Sequence, residues 1–317
     1  MCSSDLVSAT GRTWLVALAT MLAAACGGGR DSASSASSSS SSSPAASPAT
    51  RAMPAHASTA GDNTSRPMYP IKTERNIRVR MRDGVELSTD VVRPDADGQF
   101  PVLIMRTPYG KDWSAGISGG PYEHEYYAQR GYVVVQQDSR GRFDSAGVFE
   151  PFVNEGHDGA ASIEWAARLP FSDGRVATYG FSYQGLSQLY AAAEQPPSLV
   201  AIAPMMCCPD PYEGWFVEGG ALRWPFVCFW AAQLAGQDVQ AGPIPFDTGA
   251  LPISEALGRR PPRWFSEWIS HPKRDGFWDR RTPDLDRITV PSFTVLGWFD
   301  DFSSGTATLI DRLESEA

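Results

Sequence analysis

The stretch Val176-Ala-Thr-Tyr-Gly-Phe-Ser182-Tyr-Gln-Gly185 carries the clearest structural signal in this chain of 317 residues. Val176–Tyr179 is a short apolar run typical of a buried strand, and Leu186–Glu194 has the composition of a helix. Between these two elements, glycines flank Ser182 in a tight turn. A serine on a sharp strand-to-helix turn is typical of a nucleophile elbow, which exposes the hydroxyl for attack on a carbonyl carbon.

The sequence around Ser182 differs from the common elbow at one position, and a second interpretation of the turn is open. The common elbow places a glycine two residues after the serine, whereas this chain has Gln184 there and Gly185 one position later. The alternative is a surface serine in a glycine-rich turn. Because the following helix directs its N-terminus at the turn, the backbone N–H of Tyr183 would face a developing oxyanion, which favours Ser182 as a nucleophile.

Strand and helix patterns alternate along the rest of the chain. Ile77–Arg82 and Val85–Val92 predict two strands around an Asp83-Gly84 hairpin turn. Further apolar runs predict strands at Phe100–Met105, Gly131–Gln136, Val200–Met206 and Ser292–Leu296, and helical patterns fall at Tyr126–Gln129 and Gly159–Arg168. Because the later strands are apolar throughout, the pattern indicates the α/β class, with a parallel sheet covered by helices on both faces.

The composition changes between about residues 209 and 287. Six tryptophans occur there among short helical pieces, namely Trp215, Trp224, Trp230, Trp264, Trp268 and Trp278. We expect a helical cap inserted between two strands of the sheet. Its aromatic residues could line an apolar substrate pocket, or they could simply pack the cap.

The first residues have the pattern of an export leader. Trp14–Ala25 is an apolar run behind Arg12, too short for a stable membrane span and typical of a signal peptide over residues 1–26. Cys26 follows Leu22-Ala-Ala-Ala, which is similar to a bacterial lipobox with a lipidated cysteine. Ordinary signal-peptidase cleavage is the alternative. We therefore expect an exported protein, either lipid-anchored in the bacterial cell envelope or periplasmic or secreted.

A serine-rich linker is expected over residues 27–67, because its composition cannot bury enough apolar surface to offset the entropy of ordering. The folded domain is expected over residues 68–317. The chain carries 27 basic and 36 acidic side chains, a net charge of −9, which argues against a nucleic-acid partner. The sequence indicates no oligomeric state.

Three cysteines fall in the folded part, Cys207, Cys208 and Cys228. We interpret them as small apolar core residues, with a disulfide from Cys228 to one of the adjacent pair left open by the expected export. No Cys-x-x-Cys motif with a histidine partner suggests a metal site, so we expect no metal and no cofactor.

A serine nucleophile needs a carboxylate and a histidine base, which follow it in the chain order Ser, Asp, His. Asp300 follows the predicted strand Ser292–Leu296 and is the candidate acid, with Asp301 as the alternative. Either could instead cap the next helix. The histidines of the sequence all precede Asp300, at His56, His124, His157 and His271. The simplest interpretation is that the sequence is a fragment and that the base lies beyond Ala317.

Gly180-Phe-Ser-Tyr-Gln-Gly185 and Arg106-Thr-Pro-Tyr-Gly-Lys111 resemble the motifs Gly-x-Ser-Tyr-x-Gly and Arg-x-Pro-Tyr-x-Lys of the cocaine esterase-like hydrolases. This group is related to X-Pro dipeptidyl-peptidases and α-amino acid ester hydrolases. The resemblance implies an α/β-hydrolase fold, with the Tyr109 hydroxyl joining the Tyr183 N–H in the oxyanion hole. A phenol at the end of a strand can supply such a donor.

The resemblance extends to later segments. Gly297-Trp-Phe-Asp300 is similar to the family segment that holds the catalytic aspartate, which favours Asp300 over Asp301. Val135–Gly141 and His271–Trp278 also resemble family segments, and we interpret both as structural. The resemblance further implies a catalytic histidine and a C-terminal β jelly-roll domain beyond the end of this sequence.

The residues and the resemblance together predict an exported serine hydrolase that cleaves a small ester or amide through an acyl-enzyme on Ser182. Glu218, which could bind a substrate ammonium, and Trp298 are candidate substrate-binding residues. One alternative is X-Pro dipeptidyl-peptidase activity, or α-amino acid ester hydrolase or β-lactam acylase activity. Another is an inactive, membrane-tethered binding domain.

Overall fold

An antiparallel hairpin opens the central sheet, as the Asp83-Gly84 turn predicts. The computed structural model describes residues 65–114, 123–236, 243–258 and 260–314. β1 (Ile71–Arg80) pairs with β2 (Glu86–Pro94), and this register places Val79 opposite Leu87. Both side chains are buried, so the hairpin contributes an apolar surface to the core.

Four parallel strands complete the main sheet, namely β3 (Phe100–Thr107), β4 (Val133–Asp138), β5 (Ser172–Phe181) and β6 (Leu199–Met205). The spatial order is β1-β2-β4-β3-β5-β6, and β2 pairs antiparallel with β4. Every residue of β4 is buried. The prediction of a mostly parallel sheet, which rests on uniformly apolar strands, is confirmed.

Helices cover both faces of this sheet. They are α1 (Lys111–Ser114), α2 (Glu123–Ala128), α3 (Glu155–Ala167) and α4 (Tyr183–Ala193). Val135 on one face packs in the same core cluster as Leu186 of α4, whereas its neighbour Val134 packs with Ala128 of α2. Successive side chains of a strand point to opposite faces, so one apolar strand serves two helical layers.

Residues after β6 form the aromatic-rich insertion. It contains a short hairpin of β7 (Val217–Glu218) and β8 (Ala221–Leu222), the helices α5 (Trp224–Ala235), α6 (Arg263–Ser270) and α7 (Gly276–Asp279), and the 3₁₀ turns Ile253–Glu255 and Leu285–Arg287. The chain then reaches α8 (Ser303–Glu314). Five of the six tryptophans in this stretch are buried, at Trp215, Trp230, Trp264, Trp268 and Trp278. These tryptophans pack against one another. This agrees with the expectation that the aromatic residues pack the cap, the alternative to lining a substrate pocket.

The sequence predicts a full strand over Ser292–Leu296, and this prediction is wrong in its extent, because the structure shows only isolated bridges there. Only two parallel bridges join this segment to β6, from Ser292 to Ile202 and from Val295 to Met205. Phe293 between them is 71% exposed. The segment lies at the outer edge of the described sheet, where an apolar side chain gains less burial than it would in an interior strand. The apolar run therefore yields an edge segment and not a full ladder.

Two helix starts also differ from the sequence prediction. α4 begins at Tyr183 rather than Leu186, and α3 begins at Glu155 rather than Gly159. Each first turn contains a glycine, Gly156 or Gly185, that weakens the helical pattern, but both glycines are buried where α3 packs on α4. Tertiary packing extends both helices beyond their local signal.

Among the residues that the structure describes, no helix has the length and apolar character needed to cross a membrane. The expected leader of residues 1–26, including Cys26, lies outside the described residues, as does nearly all of the expected linker.

Candidate active site

Ser182 lies on a sharp turn at the carboxyl end of β5. Its backbone angles are φ 57° and ψ −127°, between the last strand residue, Phe181, and the first helical residue, Tyr183. Ser182 N–H donates to the carbonyl of Met205 at 3.0 Å, which ties the turn to the neighbouring strand. A non-glycine residue at positive φ is strained by about 1–3 kcal/mol and persists where the surrounding structure holds it. The turn leaves the Ser182 side chain half-buried, while Tyr183 beside it is fully buried.

Gly180 makes this turn possible. It has φ 137°, and a Cβ there would lie 2.6 Å from the Cβ of Gln184. That separation is far below van der Waals contact, so a larger residue would push the first turn of α4 away. Gln184, the departure from the common pattern, is buried against this glycine.

Tyr109, for which the resemblance implies a role in the oxyanion hole, lies beside Tyr183, the residue after the serine. It follows β3, which lies next to β5 in the sheet. Its hydroxyl accepts a hydrogen bond from Nε1 of Trp230 at 2.9 Å, and its ring packs edge-on against Tyr183 with centroids 6.5 Å apart. Burial raises the pKa of Tyr109 to about 12. The phenol therefore keeps its proton, and its capacity to donate, at any physiological pH.

Tyr183 is held by a buried ion pair. Its hydroxyl donates to Oε1 of Glu155 at 3.0 Å, and Oε2 of Glu155 accepts from Arg106 at 2.6 Å. The Tyr183 ring is 1% exposed. Its backbone N–H lies in the first turn of α4, where a helix has no internal acceptor to offer. The side chain thus anchors a backbone donor that stands next to the nucleophile.

Asp300 and Asp301 have different surroundings. Asp300 is half-buried, and its Oδ1 accepts from the N–H of Phe302 at 2.8 Å. Burial raises the pKa of Asp300 above its usual range. Asp301 is exposed, and its carboxylate lies 3.8 Å from the guanidinium of Arg223.

The sheet brings Asp300 to the same edge as Ser182. β5 ends at Phe181, paired with Met205 of β6, and Met205 is bridged in turn to Val295. Asp300 follows that bridge directly, with its N–H donating to the carbonyl of Gly297 at 3.2 Å. The carboxyl ends of neighbouring parallel strands lie at one edge of a sheet, so the two candidate residues are placed on a common surface.

Two of the three described histidines are engaged in other contacts. His157 is exposed and lies 3.3 Å from Glu194. His271 lies 2.7 Å from Asp275 and stacks on Phe277. His124 has its pKa lowered by burial. His56 lies outside the described residues. These contacts agree with surface or packing roles.

Glu218 is not an isolated carboxylate. It is exposed on β7, and its Oε2 lies 3.5 Å from Nε of Arg223. The same guanidinium reaches Asp301, so one cation lies between a carboxylate of the insertion and one beside the candidate acid. Trp298, the second candidate, is 86% exposed.

The segments Val135–Gly141 and His271–Trp278, which the sequence indicates are structural, make contacts that support the fold. Arg140 pairs with Asp158 at 2.6 Å and also with Asp83 of the hairpin turn. Asp275 accepts from the N–H of Phe277, which caps α7. The first segment therefore joins distant elements, and the second stabilises the start of its own helix.

No group of three or more histidine, cysteine, aspartate or glutamate side chains suited to a metal occurs within the described ranges. Cys207, Cys208 and Cys228 are free and buried, in agreement with their interpretation as core residues. Burial raises the pKa of Cys208 and of Cys228 to about 12, which disfavours their thiolates.

Two parts of this site cannot be recognised from the sequence. Nothing in the local pattern singles out Glu155, and Trp230 stands out only as one aromatic residue of the insertion. Glu155 reaches Tyr183 across 28 positions of the chain and Trp230 reaches Tyr109 across 121. No local spacing rule connects residues so far apart, so no sequence signal could have found these contacts.

A mostly parallel sheet with helices on both faces and a strained serine between an interior strand and the next helix defines the α/β-hydrolase fold. Within that class, the profile of the X-Pro dipeptidyl-peptidase (S15) family matches residues 83–317. The chain belongs to this family, whose members are hydrolases of the esterase and peptidase kind.

Individual relatives agree with that assignment. The chain is 34% identical over 251 residues to a cocaine esterase from Rhodococcus sp. (strain MB1 Bresler), covering 72% of this chain and 44% of the relative. A CocE/NonD family hydrolase from Staphylococcus aureus superposes with a TM-score of 0.58 at 26% identity, covering 70% of this chain and 40% of that one. An α-amino acid ester hydrolase gives a TM-score of 0.63 at 21% identity, covering 82% and 49%, and shows a common fold.

These matches confirm the resemblance to cocaine esterase-like hydrolases. The chain spans less than half the length of the curated relatives that it matches, at 44% of the cocaine esterase and 29% of a putative serine esterase from Mycobacterium bovis.

Proposed function

We propose that this protein hydrolyses acyl esters of small molecules through an acyl-enzyme on Ser182. The observation that carries the proposal is the strained backbone of Ser182 on its strand-to-helix turn, with Tyr109 packed against the adjacent Tyr183. Strain of this kind persists where the surrounding structure maintains it, and a hydroxyl presented beside a hydrogen-bond donor is what acyl transfer requires.

In the proposed reaction, Ser182 Oγ attacks the ester carbonyl while its proton passes to a general base. The resulting tetrahedral oxyanion accepts hydrogen bonds from the Tyr109 hydroxyl and the Tyr183 N–H. The alcohol leaves with the proton from the base, and the acyl group stays on Ser182. Water then attacks the acyl-enzyme by the same route and releases the acid.

The general base in this proposal is a histidine that Asp300 orients. The partial burial that raises the pKa of Asp300 fits a carboxylate that is stabilised when an imidazolium forms beside it. His157 and His271 are engaged in other contacts, which argues against either of them as this base.

Arg223 favours neutral acyl groups over substrates with a free amine. An ammonium-binding site needs carboxylates that are not already neutralised by a cation. Glu218 and Asp301 both lie within 4.0 Å of the Arg223 guanidinium, at 3.5 and 3.8 Å. Dipeptidyl-peptidase and α-amino acid ester hydrolase activities are therefore the less favoured alternatives. An inactive binding domain is also less favoured, because backbone strain of the kind seen at Ser182 is concentrated at functional sites.

Export is part of the same proposal. It rests on the leader-like sequence of residues 1–26, with Cys26 as the residue to be lipidated. A tethered esterase would meet its substrate outside the cytoplasm, with the serine-rich linker holding the folded domain away from the membrane.

The test uses the product of the complete gene, with Ser182→Ala compared with Ser266→Ala. Ser266 is an exposed serine on α6 and is the matched control. Ser182→Ala should lower the hydrolysis of p-nitrophenyl acetate by at least about 10³-fold, because the covalent step is lost. Ser266→Ala should leave the rate unchanged.

Persistent ester turnover in Ser182→Ala would refute the assignment of the nucleophile. Faster hydrolysis of Gly-Pro p-nitroanilide than of the acetate would select the peptidase alternative. A wild-type protein that neither turns over these substrates nor reacts with a fluorophosphonate at Ser182 would select the inactive binding domain.

A further inference from the structure

Trp230 reaches from the aromatic-rich insertion to the candidate oxyanion hole. It lies on α5, and its Nε1–H donates a hydrogen bond of 2.9 Å to the hydroxyl oxygen of Tyr109. The Tyr109 ring packs edge-on against Tyr183, the residue after Ser182, with centroids 6.5 Å apart. The Trp230 side chain is 4% exposed, so water competes little for this contact. One buried indole thus touches the group that stands beside the nucleophile.

The chemistry of these two groups fixes the direction of the contact. An indole N–H is a donor only, whereas a phenol oxygen carries one proton and can also accept. Because Nε1 of Trp230 fills an acceptor position on the Tyr109 oxygen, the phenolic proton must point away from the indole. The proton can then point toward the elbow, where the proposed function places the acyl group.

The contact also affects the strength of the donor. A hydrogen bond accepted by the phenol oxygen polarises its O–H bond and makes the hydroxyl a better donor, an effect that is larger in a buried site. Without the indole N–H, the hydroxyl would rotate about its C–O bond among several orientations. It would then lose both its direction and part of its polarisation.

We propose that Trp230 is a positioning residue of the oxyanion hole, which aims the Tyr109 proton at the developing oxyanion through its N–H. This inference rests on the proposed function and extends it. It gives α5 a role in turnover as well as in packing, because the insertion supplies the group that orients a donor from the end of β3.

Packing alone is the competing explanation, and Trp268 provides the control for it. Trp268 stacks on Trp230 with ring centroids 5.7 Å apart and is 1% exposed. Its Nε1 is buried with no hydrogen-bond partner within the part of the chain that the structure describes. Substitution by phenylalanine removes the same volume from the same cluster at either position, but only Trp230 loses a hydrogen bond to Tyr109.

The experiment compares Trp230→Phe with Trp268→Phe in the complete gene product, using p-nitrophenyl acetate. We expect kcat to fall about fivefold to tenfold in Trp230→Phe, the range for one lost hydrogen bond that acts in the transition state, with KM unchanged within about twofold. Trp268→Phe should retain kcat. Both variants leave comparable cavities, but the melting temperature should fall less in Trp268→Phe, because that variant loses no hydrogen bond.

A double-mutant cycle separates positioning from packing. Tyr109→Phe should lower kcat by itself, and Trp230→Phe should add no further loss in the Tyr109→Phe background, because the hydroxyl that it orients is gone. Replacing Trp230 with 3-benzothienyl-alanine keeps the ring shape and lacks the N–H. It should reproduce the kcat of Trp230→Phe, and it serves as the test if the phenylalanine variant does not fold.

Equal kcat values in Trp230→Phe and Trp268→Phe would overturn the positioning role and leave the proposed function standing. So would an undiminished kcat in the benzothienyl variant, or full additivity with Tyr109→Phe. If the proposed function itself is wrong, the result is different. Ser182→Ala would then still hydrolyse the ester, with either Trp or Phe at position 230.

Discussion

At the scale of single residues, Asp300 and Asp301 show how neighbours in sequence acquire different chemistry. Asp300 is partly buried, accepts from the Phe302 N–H and has a raised pKa, whereas Asp301 is exposed beside Arg223. A carboxylate that orients an imidazole must be fixed and shielded from water. Spacing in the sequence alone did not decide which aspartate is the candidate acid. The family resemblance and the partial burial of Asp300 both favour Asp300.

The pair therefore makes a direct test. Asp300→Asn should lower kcat for ester hydrolysis by about 10⁴-fold, because an amide neither holds the base in the required tautomer nor stabilises its charged form. Asp301→Asn should lower kcat by less than about threefold, since an exposed ion pair with Arg223 contributes little. Steady-state kinetics on both variants of the complete gene product would measure this. The reverse order of losses would assign the acid to Asp301.

At the scale of elements, the strand, turn and helix around Ser182 act as one unit. Gly180 approaches Gln184 so closely that only a hydrogen fits between them, and Ser182 N–H is tied to Met205 of the adjacent strand. The strained backbone of Ser182 is thus held from both sides. The sequence pattern indicated this unit correctly because all its parts lie within about ten residues of one another.

Gly180→Ala should disturb the turn itself. The new methyl group would lie 2.6 Å from the Gln184 Cβ at a φ of 137°, so the first turn of α4 must move and take the Tyr183 N–H with it. We expect at least about a 10²-fold loss of kcat, the cost of one displaced oxyanion donor. Stability should also fall by about 1–3 kcal/mol.

Gly174→Ala is the matched control for that variant. Gly174, near the start of β5, also has positive φ, 89°, but no atom lies within 4 Å of the point that a Cβ would occupy there. The substitution should lower the free energy of unfolding by about 1 kcal/mol while kcat stays the same. Urea titration and initial rates on both variants check the pair, and an unchanged kcat in Gly180→Ala would mean that the turn tolerates the shift.

At the scale of the whole molecule, a continuous aromatic core joins the sheet layer to the insertion. Phe152 stands at its centre, with ring centroids 5.4 Å from Tyr183, 5.5 Å from Trp268 and 6.2 Å from Trp230. Its side chain is 1% exposed. The tryptophans therefore form a packed interior between α4 and the helices of the insertion, and the contacts of Trp230 and Tyr183 with the site extend from this core.

Phe152→Ala should remove the centre of that core. We expect the free energy of unfolding to fall by about 3–5 kcal/mol, the usual loss for a buried phenylalanine in a core that relaxes only partly. Phe293→Ala, at a side chain that is 71% exposed, should change it by less than about 0.5 kcal/mol. Chemical denaturation of the two variants would measure the difference, and equal losses would contradict the central role of Phe152.

Much of the fold could be predicted because its signals are local. Uniformly apolar runs such as Val133–Val135 identify interior parallel strands, and the spacing around Ser182 identifies the elbow. The segment Ser292–Leu296 has the same kind of apolar run, yet it forms only two bridges at the edge of the described sheet. Local composition cannot tell an interior position from an edge, because that depends on which strands pair on either side.

The amino-acid sequence by itself determined the α/β class, the serine of the elbow and the family, because each is encoded in contiguous residues whose periodicity and spacing have direct physical meaning. Only the tertiary structure decided that Glu155 and Arg106 anchor Tyr183, that Arg223 neutralises Glu218, and that Trp230 meets Tyr109. These contacts join residues brought together by the packing of helices on the sheet. Their partners are selected by burial and shape over the whole domain, which no local pattern records.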